Sequence, residues 1–469
     1  MDLRLGDKEM ITPFSFRWVV VAVSAAMLLV LAAACGETKT IEVPGETVVL
    51  EKEVIKTVEV PGGTKTIEVP GETVVVEKEV VKKVEVPGET VTIEVPGETV
   101  VLEKEVLKVV EVVKEVVKIV EVPVEREVVR IGLLTPQTGP IAQYAPGFAD
   151  AAKVAISELN VTHEGDFEFE LIVADSGCDA TQAATAAQTL IDSGVSVIIG
   201  AACSGATLSA ITVAAAAGVP MVSYASTSPA VTTADDNGYL FRVVPSDSQQ
   251  AVALVAVASA AGAKNPAVLY MTNDYGAGLG DNFASNWSGS TCTQNAYDPT
   301  EGSYDASAIA QSVIDGGCDS VLLMSYATDG AAIMEALSAQ GFTGTIIGAD
   351  GVADAAFTES FTDVAAVDGL LATRPRPGEA SSAKTNFESA YAAAGGADGA
   401  IYTGETYDAI KIAAAAIVSD PDGYVVAALK KIGVNYVGAS GTHTFDAAGD
   451  VLGTGYEVCQ FDGTSFSCP

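Results

Sequence analysis

VSVIIGAACSGATLSAITVAAAAGVPMVSYASTSP, residues 195–229, holds two apolar runs that each break at once into small hydroxyl residues. Val195–Gly200 reads as a buried strand, Gly205–Ala217 as an Ala-rich helix and Val219–Val222 as a second strand. Strand, helix and strand in that order make a βαβ unit of a parallel sheet. The strand ends open into ACSGAT, residues 202–207, and SYASTSPAVT, residues 223–232. A strand that ends in Ser or Thr and leads into a helix offers hydroxyls and unpaired backbone N–H groups at one point. That is a cradle for a carboxylate or phosphate that needs no basic residue. Two such points side by side predict a small-molecule site at the carboxyl ends of the strands.

The alternation continues on both sides. Upstream, Val129–Leu134 reads as a strand, Phe148–Leu159 as a helix, Phe167–Ala174 as a strand and Ala180–Asp192 as a helix. Downstream, strands are expected at Ala267–Met271, Ser320–Met324 and Thr345–Gly348, with helices at Ser307–Asp315 and Gly330–Gln340. This is the pattern of an α/β protein with doubly wound parallel sheets. A region of about 340 residues is too long for one such lobe, so two are expected.

Charge is uneven. Residues 1–34 balance at three acidic and three basic, residues 36–130 carry 21 against 13, and residues 131–469 carry 37 against 9. Nucleic acid and anionic lipid headgroups are poor partners for so acidic a surface. Beyond Cys35 there are six cysteines, Cys178, Cys203, Cys292, Cys318, Cys459 and Cys468. An even count in an exported chain implies disulfides with 15 possible connectivities. Proximity in sequence favours Cys178 with Cys203, Cys292 with Cys318, and Cys459 with Cys468, the last closing a hairpin at Asp462-Gly463. There is no CxxC spacing and only two histidines, His163 and His443, so no metal site and no cofactor are expected.

Arg4, Lys8 and Arg17 precede a 17-residue apolar run, Trp18–Ala34, that ends Leu31-Ala-Ala-Ala-Cys35-Gly36. This resembles a bacterial lipoprotein signal over residues 1–34 with Cys35 as the lipidated residue. The chain is then held on the extracytoplasmic face of a bacterial membrane through an N-terminal lipid. From Thr38, TKTIEVPGETVVLEKEV recurs at Thr64 and Thr90 with a 26-residue period. T-x-T-I-E-V alternates like a strand, Val-Pro-Gly marks turns, and V-V-L-E-K-E-V fits a strand or one or two helical turns. The repeats contain no Cys, His, Asp, Ser or aromatic residue. They read as a stalk over residues 35–128, up to about 300 Å long if fully extended.

Residues 129–469 resemble the bacterial leucine/isoleucine/valine-binding proteins, type I periplasmic binding proteins that serve ABC importers. The motifs, in order, are Gly139-Pro-Ile-Ala-Gln-Tyr144, Asp175-Ser-Gly-Cys178-Asp-Ala-Thr-Gln-Ala183 with Gly200-Ala-Ala-Cys203-Ser204, Ser223-Tyr-Ala-Ser-Thr-Ser-Pro229, Asn273-Asp-Tyr275-Gly276, Ser325-Tyr326 and Gly348-Ala-Asp350-Gly351. The resemblance implies two doubly wound lobes joined by a three-crossover hinge and closing on one solute. Crossings near Val244–Ser246, Ala372–Arg374 and Thr444–Phe445 give lobe one as 131–246 and 373–443, and lobe two as 247–372 and 444–469.

It also implies the site. Ser204 caps the helix after it and, with backbone N–H groups there and at Thr227, holds a ligand carboxylate, while the Ala225 carbonyl and Thr227 take the ammonium; Ser226 lies between them in the same loop. Asp350, where the family usually has Glu, pairs with the ammonium from the other lobe. Tyr144, Tyr275 and Tyr326 wall the side-chain pocket, and Tyr224, where the family often has Pro, narrows it. The implied partners are an amino acid or amide and an ABC permease, with a monomeric head.

Rival classes are a hydrolase, a ligand sensor of the same fold working with a separate receptor, and a repeat-stalk adhesin. The hydrolase fails on parts, since no GxSxG surrounds Ser204 and neither histidine lies near a nucleophile in sequence. The expected protein is therefore not an enzyme.

Overall fold

The computed structural model describes residues 126–469, except 422–423, 454 and 464, and six strands in the preceding segment. Two compact units result, Met1–Glu125 and Arg126–Pro469. In the first, Gly63–Val69 pairs antiparallel with Glu72–Lys78, and Val91–Val95 with Glu98–Leu102. The T-x-T-I-E-V segment of the second copy, from Thr64, and Val91–Val95 of the third are strands. The open reading of V-V-L-E-K-E-V falls to strand as far as Lys78 and Leu102. The leader and Cys35 lie outside the described residues. Among the described residues no helix is long and apolar enough to cross a membrane.

The second unit begins with β1, Glu127–Thr135, so the boundary expected between 128 and 129 falls inside a strand. It continues through α1 (Ala145–Thr162), β2 (Phe167–Asp175), α2 (Ala180–Asp192), β3 (Val197–Gly200), α3 (Ser204–Ala217), β4 (Met221–Ser223) and β5 (Leu240–Arg242). The sheet order is β5-β4-β3-β1-β2, all parallel. α2 starts where Asp179 accepts a bond from the Gln182 N–H, and α3 stops at left-handed Gly218, both ordinary helix-end devices.

The chain then enters a second sheet. Its elements are α4 (Asp247–Ala260), β6 (Ala267–Met271), α5 (Asp274–Asn286), β7 (Thr293–Tyr297), α6 (Ala306–Asp315), β8 (Ser320–Met324), α7 (Ala327–Ala339), β9 (Thr345–Gly348) and β10 (Leu371–Pro375). It returns to the first lobe as α8 (Ser382–Ala393), α9 (Thr403–Ser419), α10 (Val425–Ile432) and the small pair β11 (Tyr436–Val437) and β12 (Thr442–His443). It finishes in the second sheet as β13 (Tyr456–Phe461) and β14 (Phe466–Ser467), giving the order β7-β6-β8-β9-β10-β13-β14 with the last two pairings antiparallel.

Two expected crossings move. Ala372–Arg374 lies inside β10, which pairs with β13 along Leu371–Pro375, so the second crossing follows Pro375. Thr444–Phe445 is also too early. Arg242 bridges Asp450 and Phe445 bridges Val451, which keeps the segment on the first lobe's sheet edge until past residue 451.

Disulfides join Cys178 to Cys203, Cys292 to Cys318, and Cys459 to Cys468, the pairs that sequence proximity orders. The first ties the loop after β2 to the residue that opens α3. Glu457, Cys459 and Cys468 lie close together, but both sulfurs are spent in the disulfide.

Candidate functional site

β3 delivers the first half of the site. Gly200 has φ +132°, and a Cβ there would fall 2.3 Å from the Leu134 carbonyl oxygen, so only glycine lets the strand end pass β1. Beyond it the chain turns into α3, where the Thr207 N–H donates to the Cys203 oxygen at 3.0 Å. The N–H groups of Ser204, Gly205 and Ala206 precede that bond and point out of the helix end. Cys203, not Ser204, is the N-cap residue. The Ser204 Oγ instead accepts the Ser228 N–H at 3.3 Å, which ties the helix start to the second hydroxyl loop.

A small cavity of about 30 Å³ lies where these loops meet the other lobe. Tyr144, Ser204, Ala225, Thr227, Tyr275, Tyr326 and Asp350 all line it. Ser226 does not line it. Its hydroxyl turns inward to Thr207 Oγ1 (2.7 Å) and to the Ala201 and Ala202 carbonyls (3.0 and 3.1 Å), bracing the loop from behind. Tyr224 is also outside the lining. It is fully buried behind Phe148, ring centroids 5.0 Å apart, and Phe148 rather than Tyr224 faces the cavity.

Asp350 follows β9 and is 3% exposed. It does not cap the turn that it opens. Its two oxygens accept from the Tyr275 hydroxyl (2.7 Å) and the Tyr402 hydroxyl (2.5 Å), while the Tyr275 oxygen takes the Gly351 N–H at 3.1 Å. Burial pushes the Asp350 carboxyl above its usual range, against these two hydroxyl donors. Burial, with Asp350 alongside, pushes the Tyr275 and Tyr402 hydroxyls well up. Tyr275 stacks on Tyr326 with centroids 5.3 Å apart and planes 4° from parallel. The two rings form one flat wall.

Ile141, Phe148, Ala202, Gly351, Ile401 and Tyr402 complete the lining; Ile141, Ala202 and Gly351 lie within the quoted motifs but are not singled out there, and Phe148, Ile401 and Tyr402 lie outside them. Tyr402 comes from the loop before α9 with φ +60°, a left-handed conformation uncommon for a bulky residue. No motif marks it. Asp247, at the start of α4, is fully buried, and among the described residues neither of its carboxylate oxygens has a hydrogen-bond partner. Burial and then the nearby Asp350 push it well above the usual carboxyl range.

The lobes are closed on each other. Tyr144 donates to the Gly351 carbonyl (3.2 Å), Gln143 Nε2 to Ser360 Oγ (3.0 Å), Ser228 Oγ to the Asp274 carbonyl (2.8 Å), and the Ile401 N–H to Asp354 Oδ2 (2.8 Å). A wider, open cleft of about 660 Å³ near the second crossing shares only Ile401 and Tyr402 with the cavity. It holds none of the expected ligand residues.

Beneath Tyr326 lies a second acidic centre. Asp329 is 1% exposed and accepts from the Tyr297 hydroxyl at 2.5 Å, and burial pushes it up to about 7. A carboxyl raised in the folded state holds its proton when the unfolded chain has lost it. Stability therefore falls as pH rises from the unfolded value to about 7. Asp329→Asn keeps the acceptor and removes the charge, so its gain in melting temperature should be larger at pH 8 than at pH 4. Equal gains in thermal denaturation at the two pH values would refute this.

Ser440, His443 and Asp408 also meet. Ser440 Oγ donates to Asp408 Oδ2 (2.6 Å), and His443 Nε2 lies 2.8 Å from the same oxygen and 3.2 Å from Ser440 Oγ. A hydrolytic triad needs the serine and the acid on opposite ring nitrogens. Here one nitrogen serves both, and the serine's proton points at the acid. Asp408 also accepts the Ala439 and Ser440 N–H groups at 2.7 and 2.8 Å. The cluster is a loop clamp.

Two doubly wound lobes shut over an aromatic-walled cavity, with donors on one lobe and a carboxylate on the other, define a solute-binding protein. The profile of the periplasmic binding protein family matches residues 128–465, and the chain belongs to that family, whose members bind solutes and are not enzymes. It is 27% identical over 351 residues to a Leu/Ile/Val-binding protein of Rhizobium johnstonii, covering 72% of this chain and 93% of the relative. It is 25% identical over 344 residues to a leucine-, isoleucine-, valine-, threonine- and alanine-binding protein of Pseudomonas aeruginosa, covering 71% and 90%. A solved structure of a leucine-binding protein from Thermotoga maritima superimposes with a TM-score of 0.66 at 27% identity, covering 73% of this chain and 97% of that one.

Proposed function

We propose that this chain is the solute-capturing component of an ABC importer and that the cavity takes one zwitterionic α-amino acid, branched-chain or otherwise neutral. One observation carries the reading. The start of α3 and Thr227 on the first lobe face Asp350 on the second across a single buried cavity. The first pole offers N–H groups and hydroxyls to a carboxylate. The second offers a buried carboxylate to an ammonium, a charge-assisted bond made only when the lobes are shut, so that ligand binding favours the closed form. The stacked tyrosines and Phe148 bury the side chain. The names of the relatives agree with an amino-acid ligand. Around this head, a lipid on Cys35 anchors the chain outside the cytoplasm, the repeats act as a spacer, and the monomeric head hands its ligand to a permease.

Residues 126–469 form a compact unit and match nearly the whole length of the relatives, so this piece folds by itself. Its thermal unfolding with a millimolar amino-acid and amide panel tests the proposal. Neutral L-amino acids should raise the melting temperature, by the equivalent of about 2.7 kcal/mol at a hundred times Kd. The matching carboxylic acids without an amine should not. No shift with any amino acid would sink the reading.

A further inference from the structure

Only nine basic residues occur in 131–469, and one of them, Arg242 at the end of β5, is fully buried. The two hydrogens of its Nη1 are shared among three successive carbonyl oxygens, those of Ser226 (3.2 Å), Thr227 (2.9 Å) and Ser228 (3.0 Å). Its Nη2 donates to Thr232 Oγ1 and Asp450 Oδ2, both at 2.7 Å, and its Nε to Asp450 Oδ1 at 2.7 Å. The three carbonyls belong to the loop that gives Thr227 to the cavity. Asp450 belongs to the segment that leaves the first lobe for β13.

We infer that Arg242 is the positioning residue of the ligand loop, turning its peptide N–H groups toward the cavity and fastening that orientation to the third hinge segment. In a trans peptide the C=O and the following N–H point in opposite directions. With the Thr227 carbonyl on Arg242, the Ser228 N–H must point away, and it does, onto Ser204 Oγ beside the cavity. With the Ser226 carbonyl on the same guanidinium, the Thr227 N–H faces the same way, and it has no partner among the described residues. A simple buried ion pair needs only Asp450. The three carbonyl bonds come in addition, and all three fall on the one loop. Lysine carries the charge but cannot span both groups, because its ammonium is a point and not a fork.

The ligand half of this inference rests on the amino-acid reading; the structural half does not, and the test separates them. Amide hydrogen exchange of residues 126–469 without ligand is compared for the native protein, Arg242→Lys and Asp450→Asn. The second variant carries the test if the first does not fold. Exchange in 223–232 should quicken about ten- to a hundredfold, the loss of one or two bonds to a charged group, while β3 keeps its native rate. An unchanged loop, or a loop that quickens only in step with the whole lobe, overturns the inference. With alanine as the probe ligand, the folded variant should bind about tenfold or more weakly even well below its melting temperature. Native alanine affinity with a loosened loop would also overturn it. If the native head binds no amino acid, the functional proposal fails and the exchange result still decides the role of Arg242.

Discussion

Asp350→Asn is expected to weaken binding of an α-amino acid by two to three orders of magnitude in titration calorimetry. The residue is 3% exposed. Removing one partner of a buried, hydrogen-bonded charge pair costs about 2–5 kcal/mol, because the other charge is left buried and unpaired. Asparagine keeps an acceptor for one tyrosine hydroxyl, so the fold should survive while the charge is lost. The pH dependence has a definite sign. Burial raises the carboxyl of Asp350 in the closed protein, and an ammonium beside it favours the ionised form. Binding therefore releases protons, and affinity should fall as the solution is acidified through the raised value, then level off above it. The asparagine variant should lose that part of the dependence. Unchanged affinity would place the ammonium elsewhere.

Phe148→Ala should have the largest effect on the fold and also change selectivity. The ring is 1% exposed and packs on Tyr224 from α1, facing the cavity with its other side. Truncating a buried phenylalanine costs about 3–5 kcal/mol, a fall in melting temperature of roughly 4–7 °C for a unit of this size. The space it leaves adjoins a cavity of only about 30 Å³. Leucine should therefore gain on alanine in competition binding, whatever happens to absolute affinity. A destabilised variant with native selectivity would show that the ring supports the core and does not limit the ligand.

Both predictions depend on parts that differ in how plainly the sequence announces them. The regular βαβ stretches were legible: Ala180–Asp192, Ala267–Met271, Ser320–Met324 and Thr345–Gly348 match their elements at both ends. The disulfide-pinned start of α3 and its facing loop were legible too, because hydroxyl residues at a strand end have few other uses. β5 is three residues long, below what a periodicity can reveal. β10, with Arg374 and Pro375, takes its place through antiparallel pairing to β13, some 80 residues away. Tyr402 owes its position to a left-handed turn. Ser226 looked equivalent to Thr227, and alternation along the loop decides between them. One hydroxyl meets Thr207 inside, and the other meets the cavity. The third crossing lies later because backbone bridges, Arg242 with Asp450 and Phe445 with Val451, and the Arg242–Asp450 ion pair hold the segment on the first lobe. Neither partner has a local signal.

The most direct test of the account is a crystal structure of residues 126–469 grown with the amino acid that gives the largest thermal shift. One ligand molecule should lie between the lobes, its carboxylate on the α3 N-terminus, Ser204 and Thr227, and its ammonium within hydrogen-bond distance of Asp350. A ligand in the reverse orientation, or one bound in the open cleft beside Arg374 while the central cavity stays closed, would contradict it.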